Sequence, residues 1–168
     1  IIAHEDYGKS IGTVEADAGK KMLSQLPADF LARCNVEEMN IHGDPAITIN
    51  EQKLPDYDIE AQDVKISPDF VAVSDNSFNV TATFYNLGKA VSDSITILFT
   101  RKYPDGSSAI ILKKRIRGIR YSDSVQILVP IVATRDKGQN YITVTVNSDN
   151  DVPEVTLSNN SITTSLFI

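Results

Sequence analysis

The strongest constraint on the fold is a series of short stretches, from residue 58 onward, in which apolar and polar residues alternate. Such alternation places every second side chain on the same face, so each stretch predicts a strand with one buried face. Turn-forming residues separate the stretches, as at Asn86-Leu87-Gly88 and Pro104-Asp105-Gly106. Seven strands are predicted in this way, near residues 62–67, 78–85, 95–99, 108–115, 125–131, 142–146 and 162–168.

Seven short alternating strands in one region predict an immunoglobulin-like β-sandwich of two packed sheets. The chain has one cysteine and no tryptophan. It therefore lacks the disulfide and the buried indole of antibody domains, and the likeness is one of architecture. A small closed barrel is the alternative. The predicted fold class is mostly β, with residues 58–168 as a seven-stranded immunoglobulin-like sandwich preceded by a small α/β segment.

Residues 1–50 follow a mixed α/β pattern. Ser10 can cap a helix that runs to about Leu26, because apolar residues recur near the helical period and Pro27 ends the pattern. A second short helix is predicted from Ala28 to Cys34. Strand pieces are predicted at residues 1–3, 39–41 and 46–49. Such a segment buries too little surface for a stable fold of its own, and residues 51–57, polar with one proline, are interpreted as a linker.

The negative net charge of the chain excludes nucleic acid as a partner. The net charge is −6 and the sequence pI is about 4.8, whereas nucleic-acid binding needs a basic face.

No apolar run approaches the ~20 residues of a membrane-spanning helix. The sequence begins at Ile1-Ile2-Ala3 without an initiator methionine, from which we expect a piece of a longer protein.

The residues that suggest catalysis are Cys34, His4, His42 and Asp44. A cysteine nucleophile needs a base beside its thiolate, but no further residue completes a triad in a recognisable pattern. Cys34 follows apolar neighbours, as a small core residue does. Asp44 stands in a Gly-Asp-Pro turn, where its carboxylate can accept bonds from backbone N–H groups. We predict no catalytic residue in this chain.

One loop carries a candidate metal site. Calcium prefers six to eight oxygen ligands, and side-chain oxygens are offered by Asp149, Asp151, Glu154 and Asn159. The spacing is not that of an EF-hand, and a solvated turn is the alternative. Calcium is the one cofactor that the sequence suggests.

A basic cluster lies at Lys113, Lys114, Arg115, Arg117 and Arg120. Alternate residues of a strand face opposite sides, so these five cannot form one flat phosphate-binding stripe. Charged edge strands also prevent edge-to-edge aggregation, which is the preferred interpretation. Contact with a preceding domain or an anionic glycan is the alternative.

Two phrases in residues 1–49 carry a family resemblance: Ser10-Ile11-Gly12-Thr13-Val14-Glu15 at the helix start, and Ile41-His42-Gly43-Asp44-Pro45-Ala46-Ile47. They resemble the C-terminal end of gingipain-type cysteine peptidases, whose caspase-like domain ends near a Leu-Gly-Asp-Pro-Ala-Leu phrase. Thr13 stands where that family often has Glu, and His42 where an aliphatic residue is common. The resemblance implies that the peptidase nucleophile and base precede this segment.

Residues 58–168 resemble a CARDB module, an immunoglobulin-like domain of prokaryotic surface proteins linked to adhesion. The resemblance rests on Asn86-Leu87-Gly88 after the second strand, on Asp149-Asn150-Asp151-Val152-Pro153-Glu154, and on the paired Asn159-Asn160. An immunoglobulin-like module after a peptidase domain is also the order found in gingipain-type proteins.

Together, the two resemblances imply a non-catalytic C-terminal region of a secreted or cell-surface cysteine peptidase, with the β-module as a spacer, docking or adhesion element. Its expected partners are the preceding peptidase domain of the same chain and a surface protein or glycan. A free-standing adhesion module that binds protein or glycan, stiffened by calcium, is the alternative. In a third hypothesis the segment completes a peptidase site through Asp44 or His42.

Overall fold

The computed structural model describes residues 9–48 and 52–168. The chain divides into two compact units, Ile1–Gln52 and Lys53–Ile168. The predicted strand piece at residues 1–3, His4 and Ile49 lie outside the described residues. None of the helices in the described ranges is long and apolar enough to cross a membrane.

The first unit is a pair of helices, α1 (Ile11–Gln25) and α2 (Phe30–Glu38). Ser10 caps α1 as predicted, because its Oγ accepts the N–H of Thr13 at 3.3 Å. The second helix starts later and runs further than predicted. Asp29 is its N-cap and accepts the N–H groups of Leu31 and Ala32, and this capping fixes the start at Phe30.

The turn at residues 43–47 packs on the start of α1. The N–H of Ile11 donates to the carbonyl of Ile47, and that of Gly12 to Pro45, both at 2.9 Å. A side chain on Gly12 would stand 2.9 Å from Cβ of Pro45, so glycine permits this contact. The strand pieces predicted at residues 39–41 and 46–48 were wrong. Extended pairing is limited here to a bridge between Ser10 and Thr48, because the backbone of this turn bonds to the helix start.

The second unit contains eight strands in two antiparallel sheets. The strands are β1 (Tyr57–Asp58), β2 (Val64–Ser67), β3 (Ser77–Asn86), β4 (Ile95–Lys102), β5 (Ser108–Ile116), β6 (Ser122–Pro130), β7 (Gln139–Thr145) and β8 (Ser161–Phe167). In the first sheet, β1 and β2 pair with successive parts of one edge of β3, and β6 pairs with the other edge. The second sheet has the order β5-β4-β7-β8.

This arrangement confirms the predicted sandwich rather than the closed barrel, since no strand pair joins the two sheets within residues 52–168. The predicted first strand, near residues 62–67, corresponds to β2, and β1 is an additional short strand that precedes it. A 3-10 turn at Ala61–Asp63 separates β1 from β2. Both pair with β3 on the same side, so the sandwich still has seven strand positions. A short helix, α3 (Ala133–Asp136), connects β6 to β7.

The core lies between the inward faces of both sheets. The period-two pattern of β3 is complete, with every second residue buried from Phe78 to Asn86. Fully buried side chains from the two sheets meet here: Phe78, Val80, Phe84, Ile95, Ile97, Phe99, Ile142 and Val144. Each end of this apolar layer carries a buried polar network.

Candidate functional site

The segment Leu54–Ile59, here called the opening segment, is bound by several loops at one end of the sandwich. The N–H groups of Leu87 and Lys89 donate to Asp56 and Leu54, at 2.8 and 2.9 Å. That of Val155 donates to the carbonyl of Pro55 at 2.9 Å. Residues 54–57, which the sequence pattern places in a linker, are thus hydrogen-bonded to the second unit.

Asn86 and Gly88 hold the first half of the opening segment. The side-chain oxygen of Asn86 accepts the N–H of Asp56 at 3.1 Å, and its amide donates to the carbonyl of Ile119 at 2.8 Å. A side chain on Gly88 would stand 2.4 Å from the carbonyl oxygen of Leu54. Glycine is therefore required by a close backbone approach, which explains the Asn-x-Gly phrase after the second predicted strand.

Glu154 holds the second half through a buried cluster of donors. Its carboxylate accepts the N–H of Tyr57 at 2.7 Å and the side-chain amides of Asn147 and Asn160 at 2.5 and 2.6 Å. Both asparagines are buried. Asn147 takes a left-handed φ of 51°, as asparagine readily does, and its amide also donates to Val152 at 2.8 Å.

Asn159 completes the arrangement. Its carbonyl accepts the N–H of Ile59 at 3.1 Å, and its side-chain amide donates to Asp56 at 3.3 Å. We call the set Asn86, Gly88, Asn147, Glu154, Asn159 and Asn160 the clamp. The paired asparagines therefore have different roles: Asn159 contacts the opening segment, and Asn160 orients Glu154.

The clamp changes the acid–base behaviour of two groups. Burial raises the pKa of Glu154 above its ordinary value of 4.5, despite its three hydrogen-bond donors. Burial, together with the nearby charges of Glu154 and Asp93, raises the pKa of Tyr57 to about 12.

The raised pKa of Glu154 gives a pH dependence of stability with a definite sign. The folded state holds the Glu154 proton more tightly than the unfolded state, so this contribution is complete below pH 4.5 and is lost as pH rises through the folded-state pKa. We expect the stability difference between the wild-type chain and Glu154→Gln to fall with rising pH above 4.5. Urea unfolding of both proteins at several pH values measures it. A difference that grows with pH would contradict the assignment.

The predicted metal ligands have other partners. Asp149 pairs with Lys113 at 2.9 Å. Asp151 lies 3.6 Å from Arg115 and accepts the hydroxyl of Thr96 at 2.6 Å, while Glu154 and Asn159 belong to the clamp. Among residues 9–48 and 52–168, no three His, Cys, Asp or Glu side chains are grouped so as to hold a metal ion. The calcium site stays a prediction.

The basic cluster follows the alternation expected of a strand. Lys113 and Arg115 of β5 lie opposite Leu98 and Thr96 of β4. Both extend from the outer face to the acidic loop after β7, where they pair with Asp149 and Asp151. Lys114, between them, points the other way. Lys113 and Arg115 thus supply internal counter-charges to the loop that was considered for calcium.

The opposite end of the core holds a buried ion pair that the sequence pattern did not reveal. Arg101 of β4 and Asp136 of α3 are almost completely buried, 1% and 0% exposed, and their charged atoms are 3.2 Å apart. Arg101 donates twice to the side-chain oxygen of Asn140, at 2.9 and 3.1 Å. The guanidinium also lies 5.0 Å from the ring centre of Tyr103. This set, Arg101, Asp136 and Asn140, is the far-end network.

Asp136 is ionised within this network. Burial alone would raise its pKa, but the Arg135 side chain, the Val132 N–H and the charge of Arg101 together lower the pKa below 3.8. The Val132 N–H donates at 2.8 Å. A sequence signal did exist: Arg101 continues the inward series Ile95, Ile97 and Phe99, so a buried charge could have been inferred.

The side chains considered for catalysis do not form a site. Cys34 is a free thiol with intermediate exposure, and His42 is exposed. Asp44 accepts the N–H of Ala46 at 2.8 Å, as a turn aspartate does. His4 lies outside the described residues.

Comparison with known proteins agrees with the fold of the second unit. The CARDB family model matches residues 54–164. The CARDB domain of PF1109 from Pyrococcus furiosus, solved in complex with di-metal ions, has a TM-score of 0.53 and 20% identity, covering 76% of this chain and 98% of that one. A second, solution structure of the same domain has a TM-score of 0.49 and 18% identity, covering 69% and 96%.

A further structure, a domain from a candidate cell surface protein of Methanosarcina acetivorans, has a TM-score of 0.45 and 22% identity, covering 68% of this chain and 91% of that one. No curated protein matches the chain. The CARDB domain is a non-catalytic module. Since the family model covers most of the sequence, including every residue of the clamp and of the far-end network, the chain belongs to the CARDB family.

Proposed function

We propose that the second unit is a rigid, non-catalytic spacer and docking module in a secreted or cell-surface protein. The observation that carries the proposal is the path of the backbone. The opening segment is fixed beside the start of β8, through Ile59 and Asn159. The strand β8 then runs the length of the sandwich to Phe167, a span of about 23 Å at ~3.3 Å per residue. The backbone therefore enters the module at one end and leaves it at the other.

The clamp makes this separation stiff. A segment that hydrogen-bonds to β3 and to two loops cannot swing as a flexible linker does. The far-end network fixes the other end, where Gly138 and Ile168 exchange two backbone hydrogen bonds at 2.8 and 3.0 Å. A spacer needs both features, because a hinge at either end would abolish a defined distance.

The spacer role is tested with Gly88→Ala, which brings a methyl group against the backbone of the opening segment. We expect a loss of stability of about 1–3 kcal/mol and release of residues 54–59. Spin labels at Lys53→Cys and Lys137→Cys, in a Cys34→Ser background, measure the spacing. The distance distribution should be narrow in the parent chain and broad in Gly88→Ala. Lys89→Ala, an exposed neighbour, is the control and should stay narrow. A broad distribution in the parent chain would overturn the proposal.

We further propose that the first unit is the C-terminal tail of a gingipain-type peptidase domain. That peptidase domain would be the partner of the module within the same protein. Two observations support it. The two phrases that carry the resemblance are in contact, through Gly12 and Pro45. The helices also expose large apolar side chains, 75% of Phe30 and 71% of Leu31, as elements of a larger domain do when shown without their neighbours.

The reading frame upstream of Ile1 tests the peptidase part separately. A preceding segment with a histidine and a cysteine at predicted strand ends would support it. A start codon close to Ile1 would overturn it and favour a free-standing adhesion module for a surface protein or glycan. The full chain itself should not cleave peptide substrates, and turnover that disappears in Cys34→Ser would contradict the non-catalytic assignment.

A further inference from the structure

The outer edge of β8 presents a row of backbone groups directed away from β7. Gly138 and Ile168 exchange two hydrogen bonds, and Val146 donates to Asn160. Bonded pairs alternate along an antiparallel ladder, so the even-numbered residues of β8 bond to β7. The N–H and C=O groups of Ser161, Thr163, Ser165 and Phe167 therefore point to the free edge. No strand within residues 52–168 pairs there.

The other sheet edges carry features within their own strands that oppose pairing. The strand β8 carries none in its own sequence, and the 3-10 turn at Ala61–Asp63 lies close to it. The strand β5 has a register shift opposite Phe99/Thr100 and three consecutive cations at residues 113–115. The strand β6 contains Asp123 and ends in Pro130, and the edge of β1 and β2 is interrupted by a 3-10 turn. Natural edge strands use such charges, prolines and irregularities to prevent association. Residues 161–167 contain no charge and no proline.

The sequence of β8 is also self-complementary. When two copies run antiparallel about Thr164, Ile162 meets Leu166 of the second copy and Thr163 meets Ser165. On the inward face Ile162 and Leu166 pair on either side of the central Thr164. On the outward face Thr163 pairs with Ser165, and Ser161 meets Phe167. The same kind of hydroxyl pair already joins β7 to β8, at 2.7 Å between Thr143 and Thr163. A two-fold interface requires such reciprocity.

We propose that β8 is a homodimerisation strand, which pairs antiparallel with β8 of a second copy and joins two four-stranded sheets into one. In this register the residues with outward N–H and C=O groups face each other, so every bonded pair is made between odd-numbered residues. The carbonyl of Asn159, on the same edge, already accepts the N–H of Ile59. The pairing is therefore limited to residues 161–167. A contact of one strand per copy is small, so the dimer is a weak one.

Sedimentation velocity of the full chain over a range of concentrations tests the proposal. The parent chain should shift from monomer to dimer as concentration rises. The double variant Thr163→Lys/Ser165→Lys sets like charges directly opposite each other across the two-fold axis and should weaken association at least about tenfold. The matched control, Ser124→Lys/Gln126→Lys on the exposed face of β6, adds the same charge elsewhere and should dimerise like the parent.

Amide exchange of the parent chain gives a second readout that does not depend on a variant. The amides of Thr163 and Ser165 point outward, so their exchange should slow as concentration rises, while that of Ser124 stays constant. A chain that is monomeric at all concentrations would overturn the proposal. So would a dimer that persists in the β8 double variant or leaves the exchange of Thr163 and Ser165 unchanged.

Discussion

Replacement of Asp136 by asparagine is expected to lower the free energy of unfolding by about 3–5 kcal/mol. The substitution removes the charge opposite Arg101 without changing the size of the side chain. Arg101 is 1% exposed, so its guanidinium cannot recover the lost interaction from water. The penalty is that of a buried, uncompensated charge. Urea denaturation of the variant and the parent chain at neutral pH measures it.

Two further variants test whether the uncompensated charge of Arg101 causes the loss of stability. Asp69→Asn makes the same chemical change at an exposed position and should be nearly neutral. The double variant Arg101→Met/Asp136→Leu removes both charges and should be more stable than Asp136→Asn alone, because apolar replacement of a buried pair is often neutral or better. A loss below ~1 kcal/mol in Asp136→Asn would show that Arg101 is solvated, contrary to the described packing.

Replacement of Glu154 by alanine is expected to lower the free energy of unfolding by roughly 2–4 kcal/mol and to free the opening segment. Three donors lose their acceptor at once: the Tyr57 N–H and the side-chain amides of Asn147 and Asn160. Buried donors without a partner cost more than the bond itself contributes. Urea denaturation gives the stability, and amide exchange at Tyr57 reports the opening segment.

The adjacent residue provides the control for Glu154→Ala. The side chain of Val155 is 45% exposed, and its backbone bond to Pro55 survives substitution, so Val155→Ala should leave the Tyr57 amide protected. If Glu154→Ala lost stability without faster exchange at Tyr57, the carboxylate would act on the asparagines alone. The clamp would then not include Glu154 as the support of the opening segment.

The seven strands could be predicted because each buries one face against a single layer. In β3, the alternation from Ser77 to Asn86 has no competing explanation. A period of two identifies a strand reliably when one face of that strand is buried. The helices of the first unit were harder to delimit. Their boundaries depend on caps, and because Asp29 caps α2 the helix starts at Phe30, two residues after the predicted start at Ala28.

The clamp and the far-end network depend on contacts that local sequence patterns do not encode. In the sequence, Glu154 lies near three other side chains that could offer oxygen ligands, and this proximity favours the interpretation of a calcium site. Its actual partners include the backbone of Tyr57, 97 positions away. Asp136 of α3 similarly pairs with Arg101 of β4, which is distant in sequence. Such pairings depend on how the loops return over the core, which hydrophobic periodicity does not specify.

The lack of tryptophan gives the two buried ends of the sandwich a spectroscopic use. Of six tyrosines in the chain, Tyr57 lies in the opening segment held by the clamp and is completely buried. Tyr103 lies close to two guanidinium groups, with Arg101 at 5.0 Å and Arg135 at 4.2 Å from its ring centre. Near-ultraviolet circular dichroism of single Tyr→Phe variants therefore separates the melting of one end from the melting of the other, with no dye or inserted label.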